Sequence, residues 1–174
     1  MEYNAPVEAR RLEMLQRMPI FGALSGATLD LLLTTSRTVQ VDSGSHFFRE
    51  GDAARSMYVL EAGHAIVTRQ WQGSEMELNR FGPGDCFGEM ALMDLHPRSA
   101  AVRAIAPCVA LEFGHDEMLH LYEADLEQFA LLQMNLGREL CRRLRATDEL
   151  LFRAAMGELP AAPPQLLAGR APQG

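Results

Sequence analysis

No stretch of the sequence approaches the roughly 20 consecutive apolar residues that a membrane span needs. Met1 to Arg11 holds no apolar segment of signal-peptide length. The chain is therefore expected to work in the cytoplasm, without contact with a membrane. Cysteine is sparse: Cys86, Cys108 and Cys141 are odd in number, far apart and form no CxxC pair. That argues against a disulfide framework and against a zinc or iron–sulfur site, and reduced thiols are the simplest reading. Positive charge is also short. The net charge is -7, which does not suit a molecule that binds nucleic acid over its whole surface. The local exception is Arg138, Arg142, Arg143 and Arg145, expected to form the solvated side of a helix. Catalytic signatures are missing as well. His46, His64, His96, His115 and His120 form no HxH pair for a metal, and no Gly-x-Ser-x-Gly elbow occurs. Neither a catalytic residue nor a metal ligand is assigned, and the chain is not expected to be an enzyme.

What is present fits one soluble domain with helical extensions. The chain has 174 residues, 48% of them hydrophobic and 22% charged, enough to bury a core without staples. Three regimes follow one another. Residues 8–36 read as an N-terminal helical segment, stopped first by Pro19 and restarted by Ser25 as a cap before Leu29, Leu32 and Leu33. Residues 37–115 break into short segments rich in Val, Phe, Ile and Thr. Strands are expected near 38–41, 45–48, 56–61, 64–71, 75–81, 85–87, 99–105 and 108–113. The punctuation between them includes Asp42-Ser43-Gly44, Glu50-Gly51-Asp52, Ala62-Gly63, Gln72-Gly73-Ser74 and Gly82-Pro83-Gly84-Asp85. Many short strands at this spacing imply a sandwich, a roll or a barrel. Residues 116–156 turn helical again, with a long helix from about Leu126 to Ala155. Its apolar stripe is Phe129, Leu132, Leu136, Leu140, Leu144 and Leu151. From 157 to 174 the chain is proline-rich and expected to be disordered.

One stretch inside the strand region carries chemistry: Phe87-Gly88-Glu89-Met90-Ala91-Leu92-Met93-Asp94-Leu95-His96-Pro97-Arg98-Ser99-Ala100. A glycine leaves a strand, a single helical turn follows over about Glu89 to Met93, and a proline and a lone arginine lead into the next strand. The first N–H groups of a helical turn have no internal partner and suit an anion. Gly88 lets a ligand approach the backbone, and Arg98 offers a forked, permanent cation at the same place. One phosphate fits that pair. Glu89 repels a phosphate but accepts a hydrogen bond from a hydroxyl beside it, such as a ribose 2′-OH. A ribose-phosphate ligand follows. The alternative is that Glu89 and Arg98 pair with each other and merely close the loop.

The stretch resembles the phosphate-binding cassette of cyclic nucleotide-binding domains, as found in the catabolite activator protein family, in cyclic-nucleotide-dependent kinases and in cyclic-nucleotide-gated channels. The match to Phe-Gly-Glu-x-Ala-Leu, a short gap, then Pro-Arg-Ser-Ala is complete. Pro19-Ile20-Phe21, Phe48-Arg49-Glu50-Gly51-Asp52 and Met57-Tyr58-Val59-Leu60-Glu61-Ala62-Gly63 support it, and the resemblance covers about residues 18–152. It implies a mainly β fold with α: an eight-stranded antiparallel β-roll (double-stranded β-helix or jelly roll) flanked by N-terminal and C-terminal helices. It implies that Gly88, Met90 and Ala91 offer backbone to the ligand, that Glu89 takes the ribose 2′-OH, and that Arg98 holds the cyclic phosphate. Ser99 would add its hydroxyl and Ala100 a backbone N–H, with Val67 and Phe81 walling the pocket.

In the activator family a Thr-Ser pair after an Arg-Arg-Leu triplet contacts adenine. Here Arg142-Arg143-Leu144 leads to Thr147-Asp148, so these two residues are expected to read the base, with Asp148 in place of serine. The resemblance favours cAMP as ligand, with cGMP as the alternative, since an acidic residue on this helix is similar to the guanine reader of the gated channels. The activator family adds a DNA-binding module after the long helix, whereas only 22 residues follow Phe152 here. Direct DNA binding is therefore not expected. The implied role is a stand-alone sensor that signals to an unidentified effector protein through its C-terminal helix, with a homodimer through residues 126–155. Two rivals remain: a metal enzyme on a similar roll, and an interaction module with a vestigial pocket.

Overall fold

The structure is a computed structural model that describes residues 5–158. The proline-rich tail expected to be disordered lies, from residue 159 on, outside the described residues. Two helices open the chain: α1 (Ala5–Gln16) and α2 (Gly26–Thr35), with a single 3-10 turn at Pro19–Phe21 between them. Ser25 caps α2 as expected, its hydroxyl accepting from the Thr28 amide at 3.1 Å. Eight strands follow: β1 (Arg37–Val41), β2 (His46–Phe48), β3 (Ser56–Ala62), β4 (Ala65–Trp71), β5 (Ser74–Phe81), β6 (Cys86–Phe87), β7 (Ala101–Ala104) and β8 (Cys108–Gly114). They form two four-stranded antiparallel sheets, ordered β1-β8-β3-β6 and β2-β7-β4-β5. This is the eight-stranded roll that the resemblance implied. Only β7 departs noticeably from its expected span: it begins at Ala101, because Ser99 and Ala100 lie in a bend. Helices α3 (His115–Ala124) and α4 (Leu126–Ala155) close the fold. Among the described residues no helix is long and apolar enough to cross a membrane.

Strand alternation explains why there are two cores. Successive side chains of a strand point to opposite faces. On β3, Tyr58 and Leu60 face inward and join Val67, Phe81, Phe87, Val102 and Ala110 between the sheets. Met57 and Val59 face outward and join Leu111 and Phe113 under the helices. That second core takes Leu15 from α1, Leu29 and Leu32 from α2, Leu121 from α3, and Leu132 and Leu136 from α4. Burial on both faces is why β3 reads as a nearly unbroken apolar run. The β4–β5 hairpin turns on Gln72 (φ 50°) and Gly73 (φ 81°), the two left-handed residues that a tight hairpin needs.

Helix α4 divides into two halves. Its start is tied down: Asp125 caps it through the Gln128 amide, and Asn135 Nδ2 donates to the Gly22 carbonyl at 2.8 Å. Leu132 and Leu136 are fully buried. The expected stripe does not stay buried along the helix. Leu144 is 61% exposed and Leu151 69%, because α4 runs past the edge of the core it packs on. Every residue from Leu151 to Glu158 is exposed. The arginine group expected on the solvated side is also split. Arg138, Arg142 and Arg145 are exposed, but Arg143 is buried, for a reason that lies in the site.

Candidate functional site

The segment between β6 and β7 lies over one end of the inner core. Gly88 leaves β6 at φ 78° and leads into a 3-10 turn over Glu89–Leu92. Only glycine is comfortable there. A Cβ would point to 2.6 Å from Arg98 Nη1 and 3.3 Å from the Ser56 carbonyl, and left-handed backbone disfavours any L side chain. Arg98 is fixed by its own backbone: its amide donates to the Asp52 carbonyl at 2.9 Å, and the Gly51 amide donates to its carbonyl at 2.8 Å. Its side chain is 7% exposed. Nη1 donates to the Gly88 carbonyl at 3.0 Å and Nη2 to the Ser56 carbonyl at 2.8 Å. The guanidinium lies 3.9 Å from the centre of the Phe48 ring, a favourable cation–π contact. Burial pushes the Arg98 pKa below its ordinary value. No carboxylate forms an ion pair with it among the described residues.

Glu89 is 2% exposed and does not pair with Arg98. Its partner comes from α4: Arg143 Nη1 donates to Glu89 Oε1 at 2.5 Å. Arg143 Nε donates to Glu139 Oε1 at 2.8 Å and Nη2 to the Cys86 carbonyl at 3.2 Å. Arg142 closes the chain, holding both oxygens of Glu139 at 2.6 and 2.9 Å. Two carboxylates and two guanidiniums thus alternate, and the network joins the turn to α4. Burial works against the Arg143 cation, but Glu89, Cys86 and Glu139 outweigh it and hold its pKa above the ordinary value. This pairing is what buries Arg143, against the expectation for its charge run. Burial also pushes the Cys86 thiol up to about 12, so it stays protonated.

Gly88, Glu89, Met90, Arg98, Ser99 and Ala100 line one cavity of ≈ 180 Å³ together with Val67 and Phe81. The sequence had singled out all eight. Ala91 belongs to the same turn. The sequence reading missed Phe48, Phe87, Val102 and Arg143, which also line it. Phe48 lay inside a motif already quoted, but nothing in the sequence showed that it stacks on Arg98. Thr147 and Asp148 are not brought to the cavity. Both are exposed, and the Thr147 hydroxyl donates back to the Arg143 carbonyl at 3.0 Å. They sit one turn beyond Arg143, where α4 has already left the roll. Among the described residues no group of three or more His, Cys, Asp or Glu side chains is placed to hold a metal.

Two sheets rolled around an arginine and a carboxylate in one cavity define a class, and the family comparison agrees. The chain belongs to the cyclic nucleotide-binding domain family, whose model matches residues 38–125. That family is defined by binding a nucleotide, not by transforming one. The cyclic AMP receptor protein of Thermus thermophilus is 31% identical over 131 residues, 75% of this chain and 59% of that protein. The cAMP-dependent protein kinase type II regulatory subunit of Drosophila melanogaster is 34% identical over 101 residues, 58% of this chain and 27% of that protein. The crystal structure of the Thermus thermophilus catabolite activator protein matches with a TM-score of 0.70 at 30% identity, covering 79% of this chain and 63% of that one. The chain therefore spans less than two thirds of the length of each of these relatives.

Proposed function

We propose that the chain is a cytoplasmic cyclic-nucleotide sensor that takes cAMP and passes its occupancy to a protein partner through α4. The observation that carries this is a pair of unsatisfied buried atoms in the lining of one cavity. Among the described residues, Nε of Arg98 and Oε2 of Glu89 have no hydrogen-bond partner. One is a cationic donor and the other an anionic acceptor, and each costs roughly 1–3 kcal/mol while unpaired. A 3′,5′-cyclic ribose phosphate relieves both at once, with phosphate at Arg98 and the neighbouring 2′-OH at Glu89. Met90 and Ala100 add backbone, and Ser99 adds its hydroxyl. A vestigial pocket would have no reason to keep these two charges buried. The preference for cAMP over cGMP is supported by relatives whose names specify cAMP. Isothermal titration with both nucleotides tests the reading; no heat with either would end it.

The route to a partner runs through Glu89. Its second oxygen is free for the ribose while the first keeps Arg143, so ligand and helix share one carboxylate. A ligand shifts an equilibrium only by its difference in affinity for the two states. A nucleotide that also draws the next turn of α4 inward, bringing Thr147 and Asp148 to its base, supplies that difference. The exposed apolar residues Met134, Cys141, Leu144 and Leu151 recur at seven- and three-residue gaps along α4, the spacing of a two-stranded coiled coil. A second copy of the chain covers them. Light scattering with and without nucleotide checks this, and a monomer under both conditions refutes it.

A further inference from the structure

A carboxylate on the inner side of the roll holds two neighbours of Arg98. Glu112 of β8 lies directly opposite Tyr58 of β3 and Arg37 of β1. Directly opposed residues of an antiparallel ladder share a sheet face. Glu112 therefore takes the inward face beside Tyr58, not the helix-covered face of Leu111 and Phe113. Its side chain is 16% exposed. Burial works against the carboxylate, but hydrogen bonds from Ser56, Tyr58 and Arg37 prevail and hold its pKa below the ordinary value. Oε1 accepts from the Ser56 hydroxyl at 2.8 Å and from the Tyr58 hydroxyl at 2.9 Å. Oε2 accepts from Arg37 Nε at 3.0 Å and from its Nη2 at 2.7 Å. Ser56 and Tyr58 are buried, and both also meet Arg98. The Ser56 carbonyl accepts from Arg98 Nη2 at 2.8 Å, and the guanidinium lies 5.9 Å from the centre of the Tyr58 ring. Ser56 is thus gripped at both ends, by Glu112 through its hydroxyl and by Arg98 through its carbonyl. Glu112 is not part of the cavity lining, so any effect on a ligand passes through these two residues.

Resting on the cyclic-nucleotide reading above, we propose that Glu112 is a positioning residue, which through Ser56 and Tyr58 sets the Arg98 guanidinium for the phosphate of the ligand. A long arginine side chain loses rotamer freedom when it holds a phosphate, and ordering it beforehand removes that cost from binding. Two carbonyls do the aiming. Gly88 takes Nη1 and Ser56 takes Nη2, which fixes the plane of the fork and leaves Nε as its unpaired donor. Ser56 is the first residue of β3, where the strand's own pairing constrains it least, so its side-chain anchor matters most there. The Tyr58 hydroxyl, held by the same carboxylate oxygen, keeps the ring beneath the guanidinium. Glutamine is a poor substitute despite its shape. It carries no charge, and its NH2 must either face Arg37 or turn both hydroxyls from donors into acceptors.

The test joins calorimetric titration with cAMP and cGMP to NMR of the arginine Nε–H groups, in the parent chain, Glu112→Gln, Arg98→Met and the double variant. We expect Glu112→Gln to weaken cAMP about tenfold, within the range of couplings inside one hydrogen-bond network. In the Arg98→Met background the same change should alter the remaining affinity less than about twofold, because its route is gone. The Arg98 Nε–H signal is identified by its loss in Arg98→Met. Glu112→Gln should broaden it and speed its exchange with water, while the Arg143 Nε–H, held by Glu139 at 2.8 Å, stays as in the parent. A glutamate that merely ties three strands together would move both signals or neither, and would cost the same affinity with or without Arg98. If Glu112→Gln does not fold, Tyr58→Phe removes one donor from the same oxygen and must show the same selective change. Any of those structural outcomes, or an unchanged cAMP affinity, overturns the assignment while leaving the sensor reading intact. A parent chain that binds neither nucleotide overturns both.

Discussion

Replacing Arg98 by methionine separates the cost of the site from its use. Among the described residues the Arg98 guanidinium is buried, without a carboxylate partner and short of one hydrogen bond. Arg98→Met removes donors from the Gly88 and Ser56 carbonyls, at roughly 1–3 kcal/mol each, and a ring contact worth about 0.5–2 kcal/mol. Against this it removes a desolvated cation whose own penalty is several kcal/mol, and methionine still fills the space beside Phe48. These terms oppose one another, so we expect unliganded stability to change by no more than about 2 kcal/mol. Ligand affinity has no such compensation. Loss of one member of a buried charge pair costs roughly 2–5 kcal/mol, or about 30- to 4,000-fold. Thermal melting reads both quantities. At a nucleotide concentration a hundred times its dissociation constant, the parent gains about 2.7 kcal/mol, worth roughly 5–10 °C for a chain of this size. The variant should gain at most about 0.9 kcal/mol, or roughly 2–3.5 °C, under the same conditions. A variant that is stabilised by nucleotide as much as the parent would show that Arg98 does not hold the phosphate.

Three further outcomes follow from the geometry. Gly88→Ala forces a Cβ to 2.6 Å from Arg98 Nη1 at a positive φ; we expect a loss of at least about 1–2 kcal/mol in urea unfolding, together with weakened nucleotide binding. Arg143→Ala leaves Glu89 and Glu139 without the cation they share and should destabilise the fold by about 3–5 kcal/mol; a urea midpoint unchanged from the parent would contradict the network. For acid sensitivity, burial works against the Glu139 carboxylate, but Arg142 and Arg143 prevail and hold its pKa below the ordinary value of 4.5. A depressed folded-state pKa adds stability that is complete above the unfolded value and disappears as pH falls through the folded one. The urea midpoint should therefore drop on acidification below about pH 4.5, less steeply in Glu139→Gln.

The strands were legible because their boundaries are chemical. Gly44, Gly51, Gly63, Gly73 and Gly84 all adopt positive φ, so each marked a turn for a conformational reason visible in the sequence. Gly63 goes further, since a Cβ there would lie 2.3 Å from the Pro107 carbonyl. The turn and Arg98 were legible because the proposed ribose-phosphate site takes its residues from one short run of the chain. Arg143 was not, because its partner Glu89 is 54 residues away and an arginine inside a basic run has every local appearance of a solvated charge. The fate of Leu144 and Leu151 was equally hidden. A periodic apolar stripe states that a face wants cover, not whether the same chain extends far enough to supply it.

The two halves of α4 also give the molecule mechanical gain. The helix spans 30 residues, about 45 Å, and its firm hold on the body is at Leu132 to Leu136. Arg143 stands about 10 Å along from Leu136 and Ala155 about 28 Å. A 5° swing about that fulcrum would move Arg143 by only about 0.9 Å but carry the tip about 2.5 Å. Breathing of the pocket too slight to disturb a salt bridge would become, at the outer end of this oar, a displacement large enough for the proposed partner to feel.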